Sequence, residues 1–399
     1  MWWQLYPLGF AGAPVRPETA AETVTHRLGR IEGWLDHVAG LGLDGIALGP
    51  IFASQTHGYD TLDHFRIDPR LGDDGDFDRL VAAAHARGLR VQLDGVFNHV
   101  GRGHPLVAEL VNPAVFEGHD SLVVLDHASP AVADLVVRVM THWLDRGADA
   151  WRLDAAYAVP NEFWAAVLPR VRERHPGAWF VGEIIHGDYA GIVRASTMDS
   201  VTQYELWQGI WHGIADRNFF ELAHALKRHN DLLAAFVPAT FTGNHDVSRI
   251  ASAVGAEFVP HALAVLLTVA GVPSVYAGDE YGFTGVKEER LGGDDAVRPE
   301  FPERPLPDND LTRVHRELLA ARRDRPWVVR AHTDVVHLDN RQTVLRTATG
   351  EGALIAALNL AEEPATVPSA GATTHAAGNG TLDGDRVQLP ARGWAVLAS

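Results

Sequence analysis

The sequence predicts an α/β protein that folds as a closed (β/α)₈ TIM barrel, followed by a small antiparallel β domain. Eight short apolar runs alternate with amphipathic segments of helical length, an order that is typical of parallel strands joined by helical crossovers. Several runs are almost wholly apolar, as strands buried on both faces should be. The predicted strands cover residues 2–6, 45–48, 89–94, 150–154, 179–183, 200–203, 239–241 and 273–276.

The segments between these runs have helical spacing and recognisable end signals. Residues 27–40 carry Ile31, Leu35 and Val38 on one helical face. Asn161 is a candidate N-cap for a helix over 162–174. An open doubly wound sheet is the main alternative, but it calls for a Gly-rich phosphate loop after the first strand, and none follows here. The remaining predicted helices cover 77–87, 129–146, 219–229, 260–270 and 311–323.

Two connections interrupt the regular alternation. Residues 100–128 show little periodicity and are predicted to form a reduced excursion from the barrel. Residues 282–310 are rich in Gly, Pro and charge, and are expected to form a long loop over the eighth strand. We therefore predict a catalytic barrel over 1–325 and a C-terminal β-sandwich domain over 326–399.

Composition excludes several classes of function. The formal net charge is −17, which disfavours nucleic acid and anionic membranes as partners but is compatible with a neutral sugar. The chain contains no cysteine, so disulfides, thiolate metal sites and cysteine catalysis are excluded. The N-terminus lacks the pattern of a signal peptide, and no apolar run has the length of a membrane span. We expect a cytoplasmic protein.

Polar residues follow four of the predicted strands at the end where barrel enzymes place their active sites. Asp94 ends the third strand, with His99 shortly after it. Arg152 and Asp154 end the fourth, Glu183 ends the fifth, and His245-Asp246 follow the seventh. The barrel geometry would direct these carboxylates, the arginine and both histidines at one cavity.

Such a convergence of carboxylates suits the cleavage of a glycosidic bond. The transition state resembles an oxocarbenium ion, and a retaining mechanism needs one carboxylate to attack and one carboxylic acid to protonate the leaving oxygen. Arg152 and Asp154 are two residues apart on a strand and point to the same side, so the guanidinium can keep Asp154 ionised. The acid catalyst needs a raised pKa, which neighbouring carboxylates and partial burial can supply.

The ordered series of these motifs resembles the α-amylase superfamily of glycoside hydrolases and transglycosylases, family 13. The resemblance runs from about residue 2 to about residue 320 and continues into a plausible C-terminal β domain. It is closest to the neopullulanase and cyclomaltodextrinase group, without the N-terminal domain of that group, since the first predicted strand begins at Trp2. The matching segments are residues 45–52, 57–60, 67–72, Asp94 with 98–99, Arg152 with Asp154, Glu183 with 184–186, 199–201, 245–246, 271–280 and 292–298.

The resemblance implies a role for each matching residue. Asp154 would be the nucleophile, Glu183 the acid/base, and Asp246 the third carboxylate that holds sugar hydroxyls. The implied substrate-binding residues are Tyr59, Asp60, His99, Arg152, His186, His245, Asp294 and Arg298.

Many members of this superfamily bind calcium in a larger excursion after the third strand. In this sequence Asn98 is present, but no cluster of carboxylates completes a cage of six to eight oxygen ligands. Tyr157-Ala158 stand where secreted amylases often carry a Lys-His pair. We expect no metal site and no cofactor, with calcium not required.

The residues leave several functions open. The first is a retaining hydrolase of α-1,4-glucosidic bonds in malto-oligosaccharides or related α-glucans. The second is an α-glucan transglycosylase or isomerase that uses the same three carboxylates, since acceptor choice depends on loop shape and water exclusion. A non-catalytic carbohydrate-binding relative would lack one of the three, and a metal-dependent barrel hydrolase would need a close ligand pair that its histidines do not provide. The sequence leaves the oligomeric state undetermined.

Overall fold

The computed structural model describes residues 1–17 and 22–399, and its centre is an eight-stranded parallel sheet. The sheet order is β6-β5-β4-β3-β2-β1-β8-β7, so neighbours in the chain are neighbours in space. One further parallel bridge, between Thr202 and Ala239, joins the two edges. The strands are β1 (Trp2–Leu5), β2 (Gly45–Leu48), β3 (Arg90–Gly95), β4 (Ala150–Leu153), β5 (Trp179–Gly182), β6 (Ser200–Val201), β7 (Ala239–Phe241) and β8 (Val272–Tyr276).

This arrangement confirms the predicted fold class. All eight predicted strands are present, and their ends differ from the prediction by at most two residues. The agreement has a local cause, because strands covered on both faces must be apolar throughout. Strand β2, for example, is buried at every position.

The helices surround the barrel, and two local predictions were wrong. The segment 27–40 is not one helix, because it is divided at Gly33 and Trp34. Asn161 is the first residue of its helix rather than the cap, and Pro160 precedes it without a side-chain cap. The α-helices are Pro7–Phe10, Gly29–Glu32, Leu35–Leu41, Asp74–His85, Val107–Leu110, Pro130–Asp145, Asn161–Arg174, Tyr189–Ser196, Tyr204–Ala215, Phe219–Leu232, Ile250–Val254, Val259–Thr268 and Asp310–Arg323.

Three connections cover the carboxyl ends of the barrel strands. A hairpin of Phe52–Ser54 and Thr61–Ile67 follows β2. The excursion after β3 is a three-stranded antiparallel sheet of His99–Gly101, Val111–Val115 and Leu122–Leu125. The connection after β8 is a long segment with a 3₁₀ turn at Asp295–Val297. These three loops supply the side chains that surround the strand ends.

The C-terminal segment forms two antiparallel sheets that pack on the barrel. Buried residues such as Leu354 and Trp394 belong to the same hydrophobic core as the barrel helices. Among the described residues, every helix is too short or too polar to cross a lipid bilayer. The five-stranded sheet contains His332–Leu338, Gln342–Thr349, Gly352–Asn359, Trp394–Ala398 and Thr374–Gly378, and the three-stranded sheet contains Ala365–Pro368, Arg386–Leu389 and Thr381–Asp383.

Candidate active site

Arg152, at the end of β4, lies among four carboxylates located at the ends of β3, β4, β5 and β7. Its Nη1 atom lies 2.6 Å from Asp94 and 3.1 Å from Asp154. Its Nη2 atom lies 2.7 Å from Glu183 and 3.9 Å from Asp246. Arg152 thus brings together the three carboxylates that the sequence singled out. A planar guanidinium with two terminal nitrogens is suited to fix carboxyl groups in defined positions.

Asp246 is held on its other side by a residue of the long loop after β8. Arg298 donates from Nη2 to Asp246 at 2.7 Å and from Nε to the carbonyl oxygen of His245 at 2.8 Å. The guanidinium of Arg298 also lies over the ring of Tyr6, 4.7 Å from its centroid, and 3.2 Å from Asp294. Arg298 is therefore a buried partner of the carboxylate cluster and not part of a surface ion pair.

His245 and Tyr59 form one wall of the site. Their rings stack with centroids 5.6 Å apart and are nearly parallel, and Nε2 of His245 is hydrogen-bonded to the Tyr59 hydroxyl. The same hydroxyl donates to Asp94 at 3.2 Å. Gln4, at the end of β1, contacts Nδ1 of His245 at 3.2 Å. Both ring nitrogens of His245 are thus engaged, which fixes the orientation of the ring.

The carboxyl group of Glu183 receives two hydrogen bonds in addition to the Arg152 contact. Tyr204 donates its hydroxyl to Oε1 at 3.3 Å, and the backbone N–H of Ala155 donates to Oε2 at 3.0 Å. Ala155 has φ 45° and ψ 36°, a left-handed conformation that is unfavourable for a residue with a Cβ atom. The strained residue follows Asp154 directly and aims its N–H at Glu183, so the backbone couples the two carboxyl groups.

The cluster carries more negative than positive groups. Asp94, Asp154, Glu183 and Asp246 face the two guanidinium groups of Arg152 and Arg298, so full ionisation leaves two negative charges uncompensated. The cluster is therefore suited to retain a proton, as a site with an acid catalyst requires.

Burial and charge shift the pKa values of these carboxyls in different directions. Burial raises the pKa of Asp154 well above its ordinary value; repulsion from Glu183, Asp94 and Asp246 adds to this effect, and Arg152 opposes it. Burial also raises the pKa of Asp94. Burial acts the same way on Asp246, but His245, Arg298 and Arg152 outweigh it and hold the pKa of Asp246 below its ordinary range. Environments that separate the pKa values of neighbouring carboxyls are typical of acid/base sites.

The other predicted site residues differ in their contacts and in their exposure to solvent. His99 is buried and donates from Nε2 to the carbonyl of Tyr59 at 3.1 Å, and burial lowers its pKa to about 4. Asp60 accepts hydrogen bonds from the backbone and side chain of Thr56 and shapes the hairpin turn. His186 is exposed in the loop after β5.

Several contributors to the site were not anticipated from the sequence. Tyr204 begins the helix after β6, and Asn244 donates to the Tyr204 hydroxyl at 3.1 Å. Phe116, in the excursion, stacks on His99 with ring centroids 4.6 Å apart. Tyr157 donates to Glu117 of the excursion at 2.7 Å. No local pattern marks Tyr204 or Phe116 as site residues, because Tyr204 reaches the site from the start of a helix and Phe116 from the excursion.

Comparisons with curated proteins identify relatives named as cyclomaltodextrinases and maltogenic α-amylases. The chain is 30% identical to a cyclomaltodextrinase of Geobacillus thermopakistaniensis (strain MAS1), over 92% of this chain and 70% of that protein. It is 29% identical to a maltogenic α-amylase of Bacillus acidopullulyticus, over 82% of this chain and 62% of that protein. Across such relatives the chain spans about half to 70% of their length.

Comparisons with solved structures and with a family model agree with the relatives found among curated proteins. The cyclic α-maltosyl-(1→6)-maltose hydrolase of Arthrobacter globiformis superposes with a TM-score of 0.84 at 26% identity, over 100% of this chain and 98% of that one. Structures of that hydrolase in complex with cyclic α-maltosyl-(1→6)-maltose and with maltose match at TM-scores of 0.83 and 0.82. The model of the α-amylase catalytic domain matches residues 15–120 and 114–317. With this match and the barrel described above, the chain belongs to the α-amylase family of glycoside hydrolases.

Proposed function

We propose that this protein is a retaining glycosidase that hydrolyses α-1,4-glucosidic bonds of malto-oligosaccharides or related α-glucans. In this proposal Asp154 is the nucleophile, Glu183 the acid/base, and Asp246 the carboxylate that stabilises the transition state.

One observation carries the assignment of roles. A single guanidinium, that of Arg152, contacts Asp154 through one terminal nitrogen and Glu183 through the other. Two carboxyls bound to one guanidinium are close enough to act on the same glycosidic bond, as the retaining mechanism requires. The two residues also lie at the ends of adjacent strands, β4 and β5, on rigid elements that preserve their geometry.

The first chemical step transfers the glycosyl unit to the enzyme. A carboxylate oxygen of Asp154 attacks the anomeric carbon while Glu183 gives its proton to the leaving oxygen. Arg152 stabilises Asp154 in the ionised form. Asp246 holds its charge because Arg298 and His245 flank it, and this fixed negative group stabilises the positive charge that develops on the sugar ring.

The second step releases the sugar. A water molecule attacks the anomeric carbon, its proton passes to Glu183, and the ester bond to Asp154 breaks. Glu183 is then protonated and ready for the next cycle. The stacked pair of Tyr59 and His245 forms the wall beside Asp94 and Asp246, where it would contact the sugar bound at the cleavage point.

The proposed substrate class is inferred from the names of the relatives. Their names refer to cyclomaltodextrins and maltose-releasing activity, and a structural neighbour holds a cyclic maltosyl-maltose. We therefore propose an α-glucan oligosaccharide as the partner of this chain. A cytoplasmic location is part of the same proposal, because some relatives are named intracellular maltogenic amylases.

A product time course on maltoheptaose tests the proposed function, with and without glucose as an added acceptor. We expect shorter oligosaccharides as the main products, with longer or re-linked products in the minority. A majority of longer or re-linked products would replace the hydrolase with a transglycosylase that keeps the same three carboxylates. If maltoheptaose is not cleaved at all, the proposed substrate is wrong.

The raised pKa of Asp154 predicts the acid limb of the pH profile. The ionised form is the nucleophile, so kcat/KM falls as the pH drops through the pKa of Asp154 in the free enzyme. Because burial raises this pKa above its ordinary value of 3.8, we expect activity on a 4-nitrophenyl maltoside to fall at a higher pH than an exposed aspartate would allow. The Asp94→Asn variant removes a neighbouring negative charge and should move the limb to lower pH. An acid limb at the ordinary aspartate value, unmoved in this variant, would contradict the prediction.

Among the described residues, the carboxylates and histidines do not form a cluster with the composition of a calcium site beside the active site. The one group in this part of the chain that could share an ion comprises His26, Asp73 and Asp76. It lies at the start of the helix Asp74–His85, and Asp76 is already paired with Arg79. In the excursion, Glu117 accepts the hydroxyl of Tyr157. These residues thus offer no oxygen cage near the active site.

Chelation should therefore leave the enzyme active. We expect EDTA treatment followed by desalting to change kcat on maltoheptaose by less than about twofold, since no step assigned here uses a metal ion. A loss of activity that calcium alone restores would contradict this prediction, and magnesium serves as the control ion.

A further inference from the structure

The interior of the barrel contains a narrow cavity of about 60 Å³ beneath the carboxylate cluster, which is room for a few water molecules. In barrels of this kind, layers of large branched side chains usually fill the interior. Here several inward positions carry small residues, namely Ala47 on β2, Ala239 on β7 and Ser274 on β8. The cavity, which we call the bore, is therefore a consequence of side-chain size at positions that the barrel directs inward.

Residues from both ends of the barrel line the bore. At the amino-terminal end it is lined by Trp2 and Trp179, whose rings stack with centroids 6.1 Å apart and which are partly exposed. Gln4, Thr202 and Ser274 line its length and are also partly exposed. Strand residues with inward side chains would be inaccessible in a packed barrel, so the bore has room for water.

The upper end of the bore meets the proposed catalytic groups. Asp94, Arg152 and Glu183 line the same cavity as the two glutamines, Gln4 and Gln92. Gln4 also contacts His245 at 3.2 Å. The bore is thus an approach to Glu183 from the side of the barrel opposite the substrate cleft, and its amide and hydroxyl groups provide hydrogen-bond partners for water.

We propose that the bore delivers the hydrolytic water to Glu183 from beneath, while the cleft is occupied by glucan. The inference rests on the proposed retaining function. When the glycosyl unit is attached to Asp154, a water from the bore forms the new bond to the anomeric carbon, its proton goes to Glu183, and the bond to Asp154 breaks. An acceptor sugar is too large for the bore and enters only through the cleft.

In this proposal water reaches the glycosyl-enzyme through the bore, and the acceptor sugar reaches it through the cleft. Narrowing the bore should therefore slow hydrolysis without slowing glycosyl transfer to the acceptor. Ala47 is in register with Gln4 on β1 and with Gln92 on β3, so Ala47→Leu places a larger apolar side chain between the two amides. Ser274→Val is a second variant on β8, with a smaller change in volume. Ala82→Leu repeats the alanine-to-leucine change at an exposed position of the helix Asp74–His85 and serves as the matched control.

The measurement is the ratio of hydrolysis to transfer for maltoheptaose with added glucose, together with the melting temperature of each variant. We expect the ratio to fall at least about threefold in Ala47→Leu and Ser274→Val, with the transfer rate retained, and to be unchanged in Ala82→Leu. A ratio that stays at the wild-type value in both folded bore variants overturns the proposal, as does an equal loss of both reactions. Failure of the wild type to cleave maltoheptaose would instead overturn the proposed function.

Discussion

Replacing Asp154 by asparagine should lower kcat on maltoheptaose by at least about 10⁴-fold, as expected when the nucleophile of a covalent mechanism is lost. The amide keeps the shape of the side chain but cannot form the glycosyl ester. Arg152 keeps its contacts with Asp94 and Glu183, so the rest of the site should retain its geometry.

The same substitution should not destabilise the fold. The raised pKa of Asp154 means that burial disfavours its ionised form, and asparagine removes that charge from a cluster of like charges. We expect a melting temperature equal to or above that of the wild type. Asp134→Asn provides the control, because Asp134 is exposed and pairs with Arg170 at the surface.

Direct detection of the intermediate separates the nucleophile from a carboxylate that only orients substrate. Intact-protein and peptide mass spectrometry of Glu183→Gln with α-maltosyl fluoride should show one glycosyl adduct on the peptide that contains Asp154. An adduct on another residue, or Asp154→Asn activity above about 1% of wild type, would refute the assignment.

Replacing Glu183 by glutamine should lower kcat on maltoheptaose by about 10³-fold, within the usual range for loss of a general acid. The amide oxygen can still accept the hydrogen bond of the Ala155 backbone N–H, and glutamine keeps the shape of the side chain, so the loss reports the missing proton rather than a displaced side chain. Glu173→Gln, at an exposed position of the helix Asn161–Arg174, is the matched control.

The loss of activity in Glu183→Gln should depend on whether the leaving group needs a proton. Fluoride departs without protonation, so α-maltosyl fluoride should react with Glu183→Gln in the first step and then accumulate as the glycosyl-enzyme. Azide needs no general base and should restore turnover, with the anomeric configuration retained. Equal losses on maltoheptaose and on the fluoride, with no effect of azide, would show that Glu183 is not the acid/base.

The strands and the strand-end carboxylates could be predicted because their signals are local. An apolar run such as Gly45–Leu48 identifies a strand covered on both faces. A carboxylate that directly follows such a run, as Asp154 follows β4, must lie at the active-site end of a barrel. The predicted helix over 27–40 failed because hydrophobic periodicity continues through a bend, and Gly33 with Trp34 divides the segment without interrupting the pattern.

The sequence by itself thus determined the barrel, the order of its strands and the identity of the proposed catalytic carboxylates. Only the tertiary structure decided their partners. Arg298 reaches Asp246 from a loop 52 positions away, and Tyr204 reaches Glu183 from a helix that follows the next strand. The tertiary structure also sets the pKa of Asp154 and the width of the bore, because burial and inward packing are sums over residues far apart in the chain, which no local pattern records.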